Sequence, residues 1–372
     1  MRSSSGKHFV GLDHIRAVAA FTVFSWHFLH VNNATNVPLD GTFSFPLNSL
    51  FAQGHTGVAI FMVLSGYLFA KITDGKRILY LEFLYNRALR LAPLLIAVMA
   101  IDLAIILFTA PDGAPAFLKR LAEGFVLPRW SHGGWSITAE GHFYLIFPLI
   151  IFAETTRRYS SLALIALAMA VRIWIYLHYD GQHLQNAAYW TILGRIDQFV
   201  LGILFFRYGN FIAGRHALAA GAIVLWLLIW QQFHRLGGFY DNEAPGVWTF
   251  LTTAEGLFYG LIIAWYDKSF SFSKTGLSGL VGRVGEWSYS IYLLHFFVVF
   301  RMANYINFHI VKLDNFYLAM LFDIPCFAAV AFAGFLSYTF FEKRFLARRT
   351  VYLRDADALQ PLTAAPRERV SS

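Results

Sequence analysis

The chain has 372 residues, of which 57% are hydrophobic, 18% are aromatic and only 14% are charged. Because soluble proteins carry about 25% charged residues, this composition and a mean hydropathy of +0.52 exclude a water-soluble globule and favour a protein in a lipid bilayer. The same composition excludes a disordered or collagen-like chain, and the single cysteine, Cys326, excludes an intramolecular disulfide. The net charge of +8 has to be interpreted from its positions along the chain.

Ten apolar runs are long enough to cross a bilayer, which requires about 17 to 25 residues. They lie near 10–30, 55–72, 88–109, 138–155, 161–179, 190–207, 216–233, 248–266, 288–309 and 317–340. These runs lack the ten-residue alternation of a membrane barrel. The sequence therefore predicts an all-α polytopic membrane protein, a bundle of about ten transmembrane helices.

Most of the 30 lysines and arginines fall in the N-terminus and in every second loop. The positive-inside rule then places both termini in the cytoplasm, and we expect a multi-pass protein of the cell inner membrane. We predict a membrane domain over 1–349 and a flexible cytoplasmic tail over the polar residues 350–372. Because the charge excess is topogenic, no nucleic-acid partner is expected.

The first predicted helix carries ionisable groups that are costly inside a bilayer. Arg16 and His27 are eleven residues apart, so they share one helix face and lie roughly 16 Å apart along the axis. Asp13, one turn before Arg16, can pair with it. A neutral imidazole held on a helix is a natural general base for a hydroxyl. The alternatives are a snorkelling Arg16 and an interfacial His27.

The second predicted helix contains Gly54, Gly57 and the run Ser65-Gly66-Tyr67. Its small residues permit close approach of neighbouring helices, which is the structural interpretation of each of them.

The third predicted helix opens on two arginines. Arg87 and Arg90 are spaced i, i+3, so their guanidinium groups lie side by side where they can hold a nucleotide phosphate. Anchoring to lipid headgroups is the alternative role for this pair.

The fourth predicted helix begins at the outer side with Trp135 and Ser136, followed by Glu140 and Tyr144 one turn apart on a single face. Such a group can bind a sugar, with the indole stacking on the ring and the carboxylate accepting from hydroxyls. An interfacial aromatic anchor is the alternative.

Five further charged residues fall in the outer halves of later helices. We expect Asp197 to pair with Arg195, and Asp323 or Glu255 to pair with Arg172. Ion pairs within the bundle are the structural interpretation, whereas the whole set together suggests a polar cavity open to the outside.

At this point the residues resemble a known family, the membrane-bound acyltransferase-3 family of O-acyltransferases that modify surface sugars. The matching segments run in family order over about residues 9–345: Leu12-Asp13-His14-Ile15-Arg16-Ala17 with His27; Gly57-Val58-Ala59-Ile60-Phe61 to Ser65-Gly66-Tyr67; Arg87-Ala88-Leu89-Arg90-Leu91-Ala92-Pro93; Trp135-Ser136 to Glu140, Phe143-Tyr144 and Pro148; Arg195 to Gly202; and Ser288-Tyr289-Ser290-Ile291-Tyr292-Leu293-Leu294-His295.

The resemblance implies a role for each candidate residue. His27 acts as general base or as a transient acyl carrier. The supporting groups are Asp13 and Arg16, which position the first helix and the donor; Arg87 and Arg90, which hold the phosphates of acyl-CoA; Ser65, Gly66 and Tyr67, which lie near the acyl path; and Trp135, Ser136, Glu140 and Tyr144, which form the acceptor side.

The predicted function is transfer of an acyl group, in the simplest case acetyl, from cytoplasmic acyl-CoA to a hydroxyl of an extracytoplasmic glycan or lipid-linked sugar. Acyl-CoA is then a substrate; no permanently bound cofactor and no metal are expected. The sequence leaves the acceptor, the acyl chain and the oligomeric state open. A transporter or flippase for an anionic glycolipid is the alternative, and it predicts an internal repeat that the sequence lacks.

Overall fold

The protein is an assembly of helices, seen here in a computed structural model that describes residues 9–31, 35–36, 46–240 and 243–355. The helices are α1 Val10–Leu29, α2 Pro46–Ala52, α3 Gly57–Thr73, α4 Tyr80–Thr109, α5 Ala114–Glu123, α6 Trp135–Thr156, α7 Leu162–His178, α8 Gly181–Trp190, α9 Ile192–Tyr208, α10 His216–Arg235, α11 Trp248–Ser269, α12 Gly276–Glu286, α13 Ser288–Leu294, α14 Val299–His309, α15 Phe316–Ser337 and α16 Lys343–Leu346. The strands are β1 His30–Val31, β2 Thr35–Asn36, β3 Lys76–Ile78 and β4 Leu353–Asp355.

Several of these helices have the length and polarity of membrane spans. Within the described ranges, six are long and apolar enough to cross a bilayer, or eight when the pairs α8–α9 and α13–α14, bent by 45° and 52°, count as one span each. Every predicted apolar run coincides with a helix, but α7 has only 17 residues and the charge-bearing α1 is not among the six. The polytopic helical class is confirmed, whereas the count of ten and the cytoplasmic termini stay predictions.

Helix α1 lies at the centre of the bundle and packs on α3, α12, α14 and α15. Two glycines permit this close packing. A Cβ added to Gly57 would lie 2.7 Å from the carbonyl oxygen of Ala19, and one added to Gly285 would lie 2.9 Å from the Cα of Asp13. The predicted role of small residues in helix packing is therefore confirmed for the start of α3.

Helices α3 and α9 pack against each other in the same way. A Cβ at Gly66 would lie 2.8 Å from the carbonyl carbon of Phe199, and one at Gly202 would lie 2.8 Å from the amide nitrogen of Tyr67. Because both neighbours are backbone atoms, the two helices touch main chain to main chain at these points.

The segment after the last helix differs from the predicted flexible tail. Strand β4 pairs antiparallel with β3, with Ile78 opposite Leu353, and the side chain of Tyr352 is fully buried. Residues 350–355 are thus held against the bundle because their backbone finds partners there. Residues 356–372 lie outside the described part of the chain.

Candidate active site

A cavity enclosed by α1, α3, α4, α6 and α13 brings most of the predicted site residues together. Its empty volume is about 830 Å³, part of it open to solvent. The predicted residues that line it are Arg16, Ser65, Arg87, Arg90, Ser136, Glu140 and Tyr144. Motifs that lie up to 128 residues apart, from Arg16 to Tyr144, therefore meet in one place.

Helix α1 contributes an ion pair to the site. Arg16 donates to Asp13 one turn earlier, as the i, i+3 spacing predicts, and Asp13 is almost fully buried while Arg16 retains 17% exposure. The carboxylate compensates the guanidinium and leaves it facing the cavity. Arg16 is therefore a positioned charge in the cavity wall.

The middle of the cavity is organised around Glu140. Its Oε1 accepts from Ser65 Oγ at 3.0 Å and from the hydroxyl of Tyr144. These bonds connect α3 with α6 and hold the partly exposed carboxylate in place. The sequence assigned Ser65 to the donor side and Glu140 to the acceptor side, and the structure places the two in direct contact.

The two arginines of α4 differ in their partners. Arg90 is paired with Glu342 at 2.5 Å and its guanidinium lies 5.0 Å from the ring centroid of Tyr289. Arg87 lies 4.9 Å from the ring of Phe69, and within the described chain it contacts no carboxylate and its buried Nε has no hydrogen-bond partner. Arg87 is therefore the cation that is free to bind an anion, whereas Arg90 already has a counter-charge.

At the start of α6, Ser136 and Trp135 face different surroundings. Ser136 Oγ lies 2.9 Å from the hydroxyl of Tyr292, and both residues line the cavity. Trp135 is buried between the rings of Tyr189 and Trp190, at centroid distances of 4.9 and 4.8 Å, and does not line the cavity. Stacking of this indole on a sugar would require the packing to open.

Gly66 and Tyr67 also lie away from the cavity, although the sequence grouped them with Ser65. Gly66 faces α9, and the hydroxyl of Tyr67 donates to Asp267 Oδ2 at 2.8 Å. Successive helical residues point about 100° apart. Gly66 and Tyr67 therefore point away from the cavity that Ser65 lines. Their role near the acyl path stays a prediction, and their observed contacts are packing contacts.

His27 lies near the end of α1, beyond the cavity residue Tyr292. Its ring centroid is 5.2 Å from that of His295 and 4.6 Å from that of Phe296. His295 lies 5.9 Å from Tyr292, and its buried Nε2 has no hydrogen-bond partner within the described chain. One ring therefore separates the predicted general base from the cavity wall.

Sequence reasoning gave no role to Tyr292, His295 or Glu342. The signal for the first two was present in the Ser288-to-His295 segment, where Tyr292 and His295 are spaced i, i+3 on one helix face. Glu342 belongs to a π-helical turn, Tyr338–Glu342, and its contact with Arg90 crosses 252 residues of sequence. No local sequence pattern predicts such a contact.

The buried charges of α7, α9 and α11 form a separate network, and the expected pairing was wrong. Arg172 pairs with Asp197 at 2.8 Å and Arg195 with Glu255 at 3.4 Å. Arg195 and Asp197 are two residues apart on a helix and so point in different directions. All four side chains are buried, which makes the network a structural link between helices.

Asp323 was the other expected partner of Arg172. It accepts instead from Ser25 Oγ at 2.6 Å, which joins α15 to α1. The outward-open cavity suggested by these charges is therefore not formed by them. Within the described ranges, no group of three His, Cys, Asp or Glu side chains is placed to hold a metal ion.

Fold and site together define a polytopic membrane protein with a charged cavity enclosed between its helices. The profile of the acyltransferase-3 family, described as an acyltransferase domain, matches residues 9–340. Because this match covers most of the chain, the protein belongs to that family, and the resemblance seen in the sequence is confirmed. It is a membrane acyltransferase.

The chain is also similar to the exopolysaccharide production protein ExoZ of Rhizobium meliloti (strain 1021), with 27% identity over 270 residues. The aligned region covers 68% of this chain and 79% of that relative. No solved structure matches the chain.

Proposed function

We propose that this protein transfers an acyl group, in the simplest case acetyl, from acyl-CoA on the cytoplasmic side to a hydroxyl of a glycan or glycolipid on the outer side of the inner membrane. Acyl transfer follows from the family. The observation that carries the proposal is the cavity that joins Arg87, which has no carboxylate partner among the described residues, to the hydroxyl groups of Ser65 and Ser136 and the carboxylate of Glu140.

The charge of Arg87 supports the assignment of this end of the cavity to the donor. Arg87 has no carboxylate partner within the described chain and retains a buried, unsatisfied Nε. A guanidinium with an unsatisfied buried nitrogen is stabilised by an anion, and its planar fork matches phosphate oxygens. The phosphates of acyl-CoA supply such an anion, and the long pantetheine arm can then extend along the cavity towards Tyr292.

We assign the chemical step to His27, which lies beyond the cavity residue Tyr292. Its neutral imidazole takes the proton from the acceptor hydroxyl, the hydroxyl oxygen attacks the thioester carbonyl carbon, and the carbon–sulfur bond breaks. The proton on the imidazolium then passes to the leaving thiolate, which gives the ester and free CoA. Arg16, held by Asp13, supports the donor within the same cavity.

The acceptor class is inferred from the relative. ExoZ is named for exopolysaccharide production, so we assign a surface or secreted polysaccharide, or its lipid-linked precursor, as the acceptor. Deletion of the gene should remove an acyl mass from surface glycans in mass spectrometry. A glycan mass profile that is unchanged by the deletion contradicts this assignment.

The test of catalysis measures transfer of radiolabel from acetyl-CoA to glycan in membrane vesicles. His27→Ala should lower the rate by a factor of about 10² to 10⁴, the usual contribution of a general base. His309→Ala is the matched control, because His309 is exposed at the end of α14 and does not line the cavity. It should leave the rate unchanged.

Normal labelling by a fully expressed His27→Ala protein would remove His27 from the reaction. Labelled protein that accumulates when acceptor is withheld, and that disappears in His27→Ala, would show that His27 carries the acyl group covalently instead of acting as a base.

A further inference from the structure

Arg349 is an arginine that belongs to none of the motifs and lies just after α16. In sequence it is one of a run of basic residues, Lys343, Arg344, Arg348 and Arg349, that suits a cytoplasmic boundary. Arg348 is exposed, as expected of such a residue, whereas Arg349 is only partly exposed. The two neighbours therefore differ in environment although they share chemistry.

The chain after Arg349 is fixed across the start of α4. Asn86 donates from Nδ2 to the carbonyl oxygen of Thr350 at 2.6 Å and accepts from its amide nitrogen at 2.9 Å. The amide of Leu79 donates to the carbonyl of Tyr352 at 2.8 Å, and the Tyr352 ring packs 5.5 Å from Phe83. We call residues 349–355 the strap.

The strap holds Arg349 beside the arginines of α4. Asn86, which binds the strap, is the residue immediately before Arg87. Burial, followed by the charges of Arg87 and Arg90, lowers the pKa of Arg349 to about 9. Because Asn86 adjoins Arg87 and binds Thr350, which adjoins Arg349, the strap and α4 bring these two positions together.

Within the described chain, one of the three arginines forms an ion pair with a carboxylate. Glu342 pairs with Arg90. Arg349 has two buried nitrogens, Nε and Nη2, without a hydrogen-bond partner in the described chain, and Arg87 has one, Nε. Unsatisfied buried donors on a cation are costly, and a bound anion removes both that cost and the mutual repulsion. The arrangement is therefore that of an anion site.

We propose that Arg349 is a second anion-binding residue and that it acts with Arg87 to hold phosphate oxygens of the nucleotide part of the donor. This inference rests on the proposed acyl-CoA donor. Arg90 is neutralised by Glu342, and the strap sets the position of Arg349. The C-terminal segment thereby becomes part of the donor site.

The experiment measures the Kd of CoA for the purified full-length protein in neutral detergent by isothermal titration calorimetry. Arg349→Ala should weaken binding about tenfold or more, as expected for loss of a charged hydrogen-bond donor. Arg348→Ala removes the same charge from the exposed neighbouring position and should leave the Kd unchanged. Adenosine 3′,5′-bisphosphate should show the same loss as CoA, since it carries phosphates but no pantetheine arm.

Two further variants keep the outcome clear. Arg349→Lys retains the charge without the planar fork and should give intermediate affinity, so it serves where the alanine variant fails to fold. Arg87→Ala tests the proposed donor on its own. If wild-type protein does not bind CoA, both the donor and the role of Arg349 are refuted; if Arg87→Ala weakens binding and the Arg349 variants do not, only Arg349 is refuted.

An anionic lipid headgroup presents the same phosphate chemistry. Native mass spectrometry with added phosphatidylglycerol separates the two sources. Loss of bound lipid in Arg349→Ala, with unchanged affinity for CoA, would overturn the proposal and assign Arg349 to the lipid surface.

Discussion

The contact between α3 and α9 gives the sharpest prediction about stability. Gly66 lies in the Ser65-Gly66-Tyr67 run that the sequence grouped with donor binding, but it faces the backbone of α9. Gly66→Ala adds one methyl group at this contact and nothing in the cavity. It therefore separates a packing role from a donor-binding role.

The expected magnitude follows from the geometry. The new Cβ would lie 2.8 Å from the carbonyl carbon of Phe199 and still nearer to its oxygen, whereas ordinary contacts begin at 3.4 Å. The helices would have to separate, because backbone atoms cannot rotate away. Overpacking of this kind costs about 1–3 kcal/mol, and we expect the upper end because Gly202 forms a second such contact between these helices.

The assay is thermal unfolding in detergent, followed by tryptophan fluorescence. A cost of about 3 kcal/mol should lower the apparent Tm by about 4 °C in a chain of this size. Gly221→Ala is the matched control, because Gly221 lies on the exposed side of α10 with no atom within 4 Å of an added Cβ. It should leave the Tm unchanged or raise it slightly, since alanine is the better helix former.

The Kd of CoA for the protein that remains folded should be unchanged in Gly66→Ala. A variant with wild-type Tm and weakened CoA binding would refute the packing interpretation and return Gly66 to the donor path.

Two other substitutions test contacts outside the cavity. Tyr67→Phe keeps the ring but removes the bond to Asp267, so it should cost about 1–2 kcal/mol of stability without changing CoA affinity; a large loss of affinity would place Tyr67 in the donor site. Asn86→Ala removes two bonds to Thr350 and should loosen the strap, which limited proteolysis would detect as faster cleavage after residue 349. Equal cleavage rates in the variant and the wild type would show that pairing of β3 with β4 holds the strap alone.

Local sequence patterns were sufficient to predict the positions of the helices and much of the site. Hydrophobic runs correctly located ten helical segments, and the spacing of Asp13 and Arg16 correctly gave their ion pair. Seven of the predicted site residues line one cavity because their motifs mark helix faces that pack on one another. The helical segments and the ion pair depend on residues that are near one another in sequence.

Partners that lie far apart in sequence were not predictable in the same way. The pairing of Arg172 with Asp197 depends on how α7 and α9 are rotated against each other, which composition does not specify. The position of Arg349 depends on a strap that returns to α4 across 264 residues. Both contacts join segments that are distant in sequence, so packing decides which charges meet.

The two bent spans bear on the transporter alternative. Transporters built from repeats place discontinuous helices at corresponding positions in two halves of the chain. Here the bends fall between α8 and α9 and between α13 and α14, so both lie in the second half of the described chain. The second bend is a short turn, His295–Phe297, that places the His295 ring against His27. A bend at this position shapes the surroundings of the proposed base, and its location matches an enzyme site better than a permeation path with paired halves.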